Sequence, residues 1–167
     1  MILFKKWEPL EIGKPSPKFM DAITDAISFD KLMSEGVTCF LGEASLGGIV
    51  AVNEWVNNTI TYEYDAYDNW QNPSDTILKS TGDCEDYALL KRALLIERGF
   101  NDNELMMVVG FDMIIRQEHA ILLVLYDKEW WVLDNRTNAL TQDDIYTDFN
   151  PIKGYSASNS WIFGEKK

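Results

Sequence analysis

Apolar residues recur at helical spacing in two segments of the first sixty residues. Ser16-Pro17 has the sequence of a helix N-cap followed by the first helical position, and apolar residues then recur every three or four positions. They are Phe19, Ala22, Ile23, Ala26 and Ile27. After a break at Leu46-Gly47-Gly48, a second apolar stripe runs to Asn57-Asn58 and comprises Ile49, Val52, Trp55 and Val56. The spacing predicts two amphipathic helices.

The longest helical pattern follows a polar segment. Residues 65–83 are polar and contain Asn72-Pro73, Ser74 and Gly82, which predicts a long loop that forms one wall of a cleft. From Glu85 onward, apolar positions return at helical spacing until the stop signal Arg98-Gly99. They are Ala88, Leu89, Ala93, Leu94, Leu95 and Ile96. This stripe predicts the most regular helix of the chain.

Three runs rich in aliphatic and aromatic residues follow, at 105–111, 119–126 and 130–133. Asp127-Lys128-Glu129 separates the last two runs, which predicts an antiparallel hairpin. If Asp127-Lys128 is a two-residue turn, Tyr126 faces Glu129 and the numbers of paired residues sum to 255. The tail from 136 to 167 is of mixed polarity and predicts one more strand near its end.

The first fifteen residues contain Pro, Gly and Lys and predict an extended N-terminal arm at 1–15. The remaining residues, 16–167, are predicted to form a single domain, because 167 residues with a hydrophobic fraction of 46% suffice for one core.

Charge and hydropathy each exclude one class of partner. The chain has 15 Lys and Arg against 27 Asp and Glu, a formal net charge of −12, which is unsuited to binding phosphate backbones. We therefore expect no nucleic acid partner. No window approaches the roughly 20 apolar residues of a membrane-spanning helix, so we expect no membrane insertion.

The N-terminal sequence and the cysteine count bear on location. The apolar start is interrupted at Lys5 and Lys6 and is shorter than the roughly 7–15 residues of a secretory signal core. This predicts a cytoplasmic protein, or a phage-encoded or virion-associated one, which is periplasmic only if exported by another route. Two cysteines are too few for a disulfide framework, and we interpret both as thiols. Cys39, in an apolar run, is interpreted as a buried residue without chemistry.

A cysteine stands where the polar segment becomes the third helix, at Cys84. Unpaired N–H groups and the dipole at a helix N-terminus lower the pKa of a thiol and can also hold an oxyanion. The position therefore predicts a nucleophile. Free cysteine is also among the most buried residue types, so a structural role is the alternative.

The single histidine, His119, and Asp134 supply candidates for a base and its orienting group. In the predicted register Asp134 lies opposite Ile121, two residues from His119, so the two side chains are diagonal neighbours on one face. A Cys84–His119–Asp134 set would suit nucleophilic catalysis. The alternatives are a core histidine and a turn-capping carboxylate.

Several motifs in this chain resemble the bacterial transglutaminase-like cysteine proteinases, which include the LapG-type adhesin proteases. The blocks are Gly82-Asp83-Cys84-Glu85-Asp86-Tyr87-Ala88 with Lys91, His119-Ala120, Leu133-Asp134-Asn135, Trp55-Val56-Asn57, Ile60, and Asn72-Pro73 with Thr76. The resemblance covers roughly residues 50 to 163. It implies an α+β, papain-like or transglutaminase-like fold, in which Cys84 opens a central helix packed on an antiparallel sheet.

The resemblance also implies a calcium ion beside the nucleophile, with Asp83, Glu85 and Asp86 matching its ligands. Independently, three carboxylates within four residues suit a hard cation, although acids in a first helical turn are also favoured by the dipole. For the oxyanion, the first donor is the Cys84 N–H, and Trp70 or Gln71 is the candidate second.

These observations predict a cysteine endopeptidase that hydrolyses a protein substrate through Cys84, His119 and Asp134. Two alternatives stay open. One is an acyl-transferring, transglutaminase-like enzyme, which differs in how well it excludes water from the acyl-enzyme. The other is a non-catalytic binding or structural module that retains the fold.

Overall fold

The computed structural model describes residues 1–24 and 27–167. The helices in these ranges are α1 (Pro17–Ile23), α2 (Phe29–Ser34), α3 (Leu46–Thr59), α4 (Pro73–Lys79) and α5 (Cys84–Glu97). The strands are β1 (Trp7–Glu11), β2 (Thr61–Tyr62), β3 (Thr81–Gly82), β4 (Leu105–Asp112), β5 (Gln117–Tyr126), β6 (Glu129–Asp134), β7 (Thr137–Gln142), β8 (Phe149–Tyr155) and β9 (Ser160–Glu165). A short 3-10 helix at Asp102–Glu104 precedes β4.

Seven strands form one antiparallel sheet in the order β1-β9-β8-β4-β5-β6-β7, and β2 pairs with β3 in a parallel pair. The helices pack on one face, where Leu122 and Val124 of β5 join the core around α3 and α5. Ile121 and Leu123 point to the other face, into a second apolar cluster. Burial on both faces explains why β4 and β5 consist of nearly continuous apolar runs. The α+β architecture is confirmed.

The N-terminal segment, predicted as an extended arm, is packed against the rest of the fold. Trp7–Glu11 is the edge strand β1 and pairs with β9. Leu3 and Phe4 are almost fully buried in the second apolar cluster, where Phe4 packs against Phe149. Burial of two large apolar side chains outweighs the Pro and Gly signals of the segment.

The predicted helices are observed, with changed boundaries in α1 and α3 and with two additional helices, α2 and α4. Leu46-Gly47-Gly48 is the first turn of α3, capped by Ser45, rather than a break before it. The Ser16 hydroxyl caps α1 by accepting from Phe19 N, as its sequence predicts, but α1 ends at Ile23. Ala26 lies outside the described residues. The predicted loop at 65–83 contains α4, which Asn72 caps and Pro73 opens, so the loop prediction is wrong there.

The hairpin register is confirmed, because Tyr126 pairs with Glu129 and Leu122 with Leu133. Asp127 and Lys128 both have positive φ, as a type I′ turn requires. The tail forms three strands, β7, β8 and β9, where one was predicted. Of the helices described in residues 1–24 and 27–167, none has the length and apolarity to cross a membrane.

Candidate active site

The start of α5 positions Cys84 through a capping box. Asp83 is the N-cap and its carboxylate accepts from Asp86 N, while Asp86 Oδ2 accepts from Asp83 N at 3.0 Å. Gly82 is required here, because a Cβ at this position would lie 2.7 Å from Asp86 Cβ. These contacts fix Cys84 as the first helical residue, with its thiol buried between α5 and β5.

The Cys84 thiol has two polar contacts. It donates to Glu85 Oε2 at 3.2 Å and accepts from the backbone N–H of Ala120, the residue after His119. Burial, followed by the charge of Glu85 and its hydrogen bond, holds the pKa of Cys84 above the value of an ordinary thiol. Burial and the adjacent Glu85 carboxylate therefore outweigh the helix dipole, and in this arrangement the thiol is protonated.

Replacing Glu85 with glutamine should raise the rate at which iodoacetamide alkylates Cys84 at pH 8 in chelator by about tenfold or more. The substitution removes a negative charge beside the sulfur while keeping the shape of the side chain. Glu97→Gln, at the exposed far end of α5, is the matched control and should leave the rate unchanged. Equal rates in both variants would show that Glu85 does not control the thiol.

His119 and Asp134 are brought together as predicted. His119 Nε2 lies 3.0 Å from Asp134 Oδ1, and both side chains are 4% exposed. When Nε2–H donates to Asp134, Nδ1 is the ring nitrogen that carries no proton. The ring is thus oriented with its basic nitrogen away from the carboxylate. Among the contacts of the described residues, the thiol of Cys84 hydrogen-bonds to Glu85 rather than to this ring.

Asp134 has further partners that sequence reasoning missed. Arg136 Nη2 and the Tyr146 hydroxyl donate to Asp134 Oδ2 at 2.9 and 2.7 Å. Arg136 Nη2 also lies 2.8 Å from Asp112 Oδ2. Burial opposes ionisation of Asp134, but its bonds to His119 and Arg136 outweigh burial and hold its pKa well below the usual range.

Lys91 is a second residue whose environment was missed. It lies two helical turns after Cys84 and is 1% exposed, with its ammonium 5.8 Å from the centre of the Tyr87 ring. Burial lowers the pKa of Lys91 to about 7, and the charge of Asp134 partly opposes this shift. Positions 84, 87, 88 and 91 are spaced to lie on one face of a helix, and this was the sequence signal that Lys91 is buried. The signal was missed because lysine is rarely found on a buried face.

Trp70 and Gln71, the candidate oxyanion donors, differ in their contacts. Gln71 Nε2 donates to Thr81 O at 3.0 Å and to Asp86 Oδ2 at 3.1 Å, and its backbone N donates to Asp86 Oδ1. The amide of Gln71 therefore holds the start of α5. Within the described part of the chain Trp70 Nε1 is buried and has no hydrogen-bond partner, so Trp70 is the one with an uncommitted donor.

The predicted metal ligands lie close together but have different contacts. Both oxygens of Asp86 accept N–H groups, from Gln71 and Asp83. Burial and like charge raise the pKa of Asp83 to about 6 and that of Asp86 to about 7. Within residues 1–24 and 27–167 no group of three or more His, Cys, Asp or Glu side chains is arranged to hold a metal. Asp83 and Glu85 have the donor chemistry for calcium, whereas Asp86 supports the helix start.

A cavity of about 310 Å³ opens in front of Cys84. Its walls come from the predicted cleft segment, the start of α5 and the start of β5, and its lining includes carboxylates but no Lys or Arg. The lining is Tyr62, Tyr64, Asp65, Ala66, Asp68, Asp83, Cys84, Glu85, Gln117 and Glu118. The cavity therefore provides open space next to Cys84, whose side chain is itself buried.

Comparison with solved structures supports the same fold. The calcium-bound form of Legionella pneumophila LapG has a TM-score of 0.63 and 24% identity, covering 71% of this chain and 71% of that one. The EGTA-treated form has a TM-score of 0.62 and 24% identity, covering 68% of this chain and 64% of that one. These similarities show the papain-like fold, with a cysteine-opened helix on an antiparallel sheet.

Sequence comparisons extend to a protein of another organism and to a family. A UPF0252 protein of Methanocaldococcus jannaschii is 29% identical over 111 residues, covering 57% of this chain and 30% of that protein. This chain thus spans less than a third of that relative. The family model described as bacterial transglutaminase-like cysteine proteinase matches residues 29–163, which include Cys84, His119 and Asp134. Because this match covers most of the sequence, the chain belongs to the bacterial transglutaminase-like cysteine proteinase family.

Proposed function

We propose that this chain is a cysteine endopeptidase that hydrolyses a peptide bond in a protein substrate through Cys84, His119 and Asp134. The observation that carries the proposal is the buried hydrogen bond between His119 Nε2 and Asp134 Oδ1, on strands next to the helix that Cys84 opens. A neutral imidazole held this way has a free basic nitrogen for the thiol proton. Family membership supports the same chemistry.

In the proposed reaction, the thiol first exchanges its hydrogen bond with Glu85 for one with His119. His119 Nδ1 takes the thiol proton, and the sulfur attacks the carbonyl carbon of the scissile bond. The backbone N–H of Cys84 and the indole N–H of Trp70 are the proposed donors to the oxyanion. His119 then protonates the departing amine, and a water attacks the thioester, returning its proton through His119 so that the free thiol is restored.

The proposal is tested by the pH dependence of Cys84 alkylation with iodoacetamide in the presence of calcium. Burial raises the pKa of Cys39 to about 11, so this cysteine is a slow internal reference in the same peptide map. We expect the Cys84 rate to stay high well below pH 8, and to fall by about tenfold or more in His119→Ala. A Cys84 rate that tracks Cys39, or that is unchanged in His119→Ala, would contradict the pairing.

Calcium belongs to this proposal as the cation that Asp83 and Glu85 would hold. A bound cation would supply positive charge to offset the carboxylates beside the thiol. The raised pKa values of Asp83 and Asp86 support it, because crowded, partly buried carboxylates are stabilised by a cation.

Added calcium should raise the melting temperature by about 5–10 °C at concentrations 100-fold above its dissociation constant. The rise follows because the ion binds the folded state alone. Chelator should reverse the shift, and Glu85→Gln, which leaves the capping box intact, should reduce it. Magnesium is the control cation, since it prefers to keep its own waters. Identical melting curves with calcium and with chelator would remove calcium from the proposal.

A further inference from the structure

The carboxylate of Asp134 lies at the centre of a hydrogen-bond cluster on the side away from His119. Oδ1 accepts from His119 and from the backbone N of Arg136, both at 3.0 Å, and from Arg136 Nε at 3.2 Å. Oδ2 accepts from Arg136 Nη2 and from the Tyr146 hydroxyl. Arg136 therefore contacts both oxygens of the carboxylate, and this bidentate contact fixes the carboxylate plane.

A guanidinium this close has a second effect, which is electrostatic. The carboxylate of a Cys-His-Asp site stabilises the imidazolium by its negative charge. Arg136 cancels much of that charge if Asp134 is its sole partner. Asp112 Oδ2 lies 2.8 Å from the same Nη2 and supplies a second carboxylate. Two carboxylates and one guanidinium together present a single net negative charge to His119.

We propose that Arg136 and Asp112 are positioning residues for the imidazole of His119: Arg136 orients the Asp134 carboxylate, and Asp112 balances the charge that Arg136 introduces. This inference rests on the proposed function, since it assigns residues that act through Asp134 on the proposed base. Neither residue touches the reacting atoms.

The position of Asp112 in the fold is consistent with this pairing. Asp112 ends β4, and its Oδ1 accepts from the backbone N of Ile114 and Ile115 at 2.9 and 3.0 Å. Oδ1 thus closes the turn between β4 and β5, while Oδ2 is directed to Arg136. The Asp112 side chain is 7% exposed and the Arg136 side chain is 35% exposed, so solvent screens this ion pair in part.

Other charged or titratable groups surround the His119–Asp134 pair. From α5 these are Lys91, whose charge acts on Asp134, and Cys84, whose thiol contacts the Ala120 N–H. Tyr146 belongs to the segment between β7 and β8 and donates to Asp134. Asp112→Asn removes no hydrogen bond to these three residues, whereas Arg136→Gln also removes the hydrogen bond that Arg136 Nη2 donates to the Tyr146 hydroxyl at 3.0 Å.

The test is the imidazole titration of His119 by NMR in chelator, where the single histidine gives an unambiguous signal. Asp112→Asn keeps the turn acceptor but removes a negative charge, so it should lower the pKa of His119 by about half a unit or more. Arg136→Gln removes the positive charge, so it should raise that pKa by a similar amount. Asp148→Asn, an exposed acid of the cavity beside Arg136, is the matched control and should cause no shift.

Shifts of opposite sign in the pKa of His119 in the two variants support the proposal. A purely structural role would move this pKa in one direction or not at all. Shifts of the same sign, or none beyond that of Asp148→Asn, overturn it. If Arg136→Gln does not fold, Asp112→Asn is compared with Asp148→Asn alone. A lower pKa of His119 in Asp112→Asn only would support the proposal, and equal pKa values would overturn it. The proposed function is tested separately, by alkylation of Cys84 in the wild-type chain. An unreactive Cys84 together with His119 pKa shifts of opposite sign would reject the peptidase function but retain the positioning role of Arg136 and Asp112.

Discussion

Replacing Cys84 with alanine should reduce calcium-supported hydrolysis of p-nitrophenyl acetate to the uncatalysed background, a loss of about 10³-fold or more. The ester needs only a nucleophile and a base, so it reports the thiol without knowledge of the natural substrate. Alanine lacks any group that can form the thioester, and no other described thiol lies at the start of α5. Cleavage of a protein substrate should disappear together with ester hydrolysis.

The same substitution should leave the fold intact. The capping box at the start of α5 uses the backbone and the carboxylates of Asp83 and Asp86, and the thiol takes no part in it. The melting temperature should therefore change by about 2–4 °C at most. Cys39→Ala is the matched control and should retain activity. Cys39 is partly buried and lies far from Cys84 in sequence. Full activity in Cys84→Ala would reject the nucleophile.

The pairing of His119 with Asp134 was predictable because one turn sets the whole register. Once Asp127 and Lys128 form a two-residue turn, every facing pair between β5 and β6 follows, since side chains alternate with period two. The helix that begins at Cys84 was predictable from its apolar spacing and its acidic cap. These are local rules, and the residues that follow them are close in sequence.

Other elements follow no such local rule. Asn72-Pro73 has the same N-cap and first-position sequence as Ser16-Pro17, but the polar residues around it favoured a loop. The helix that forms there, α4, is stabilised by packing on α5. In β8, Pro151 weakens the strand signal, and the structure places it where the register of β4 and β8 shifts. Arg136 reaches Asp112 across 24 positions of sequence. Long-range ion pairs of this kind leave no pattern in a single sequence.

The surroundings of Cys84 show why residue identity alone did not fix the state of the thiol. A helix N-terminus favours a thiolate, and the sequence prediction relied on that effect. The structure shows that the thiol is buried, which is the largest opposing effect, and that the Glu85 carboxylate accepts the thiol hydrogen bond and acts in the same direction. The dipole is worth about 0.3–1 kcal/mol at most helix ends, so burial of the thiol together with one adjacent carboxylate can reverse it.

Replacing Lys91 with methionine should increase the free energy of unfolding at pH 7 by about 3–5 kcal/mol. Burial lowers the pKa of Lys91 from 10.5 to about 7 in the folded chain. Between these pH values the unfolded chain binds a proton that the folded chain has released, which destabilises the fold. Methionine keeps the length of the side chain, fills the same volume and carries no charge.

The sign of the pH dependence distinguishes this effect from a change in packing. The contribution of Lys91 disfavours folding fully below its folded pKa of about 7 and fades as pH rises toward 10.5. The advantage of Lys91→Met should therefore shrink by about 1.4 kcal/mol per pH unit between pH 7 and 10, measured by urea unfolding. Lys79→Met, at an exposed position of α4, is the control and should show no such slope. A gain in unfolding free energy for Lys91→Met that does not change with pH would mean that packing alone differs. A loss of stability in Lys91→Met at pH 7 would mean that Lys91 is charged in the folded chain and stabilised by Asp134.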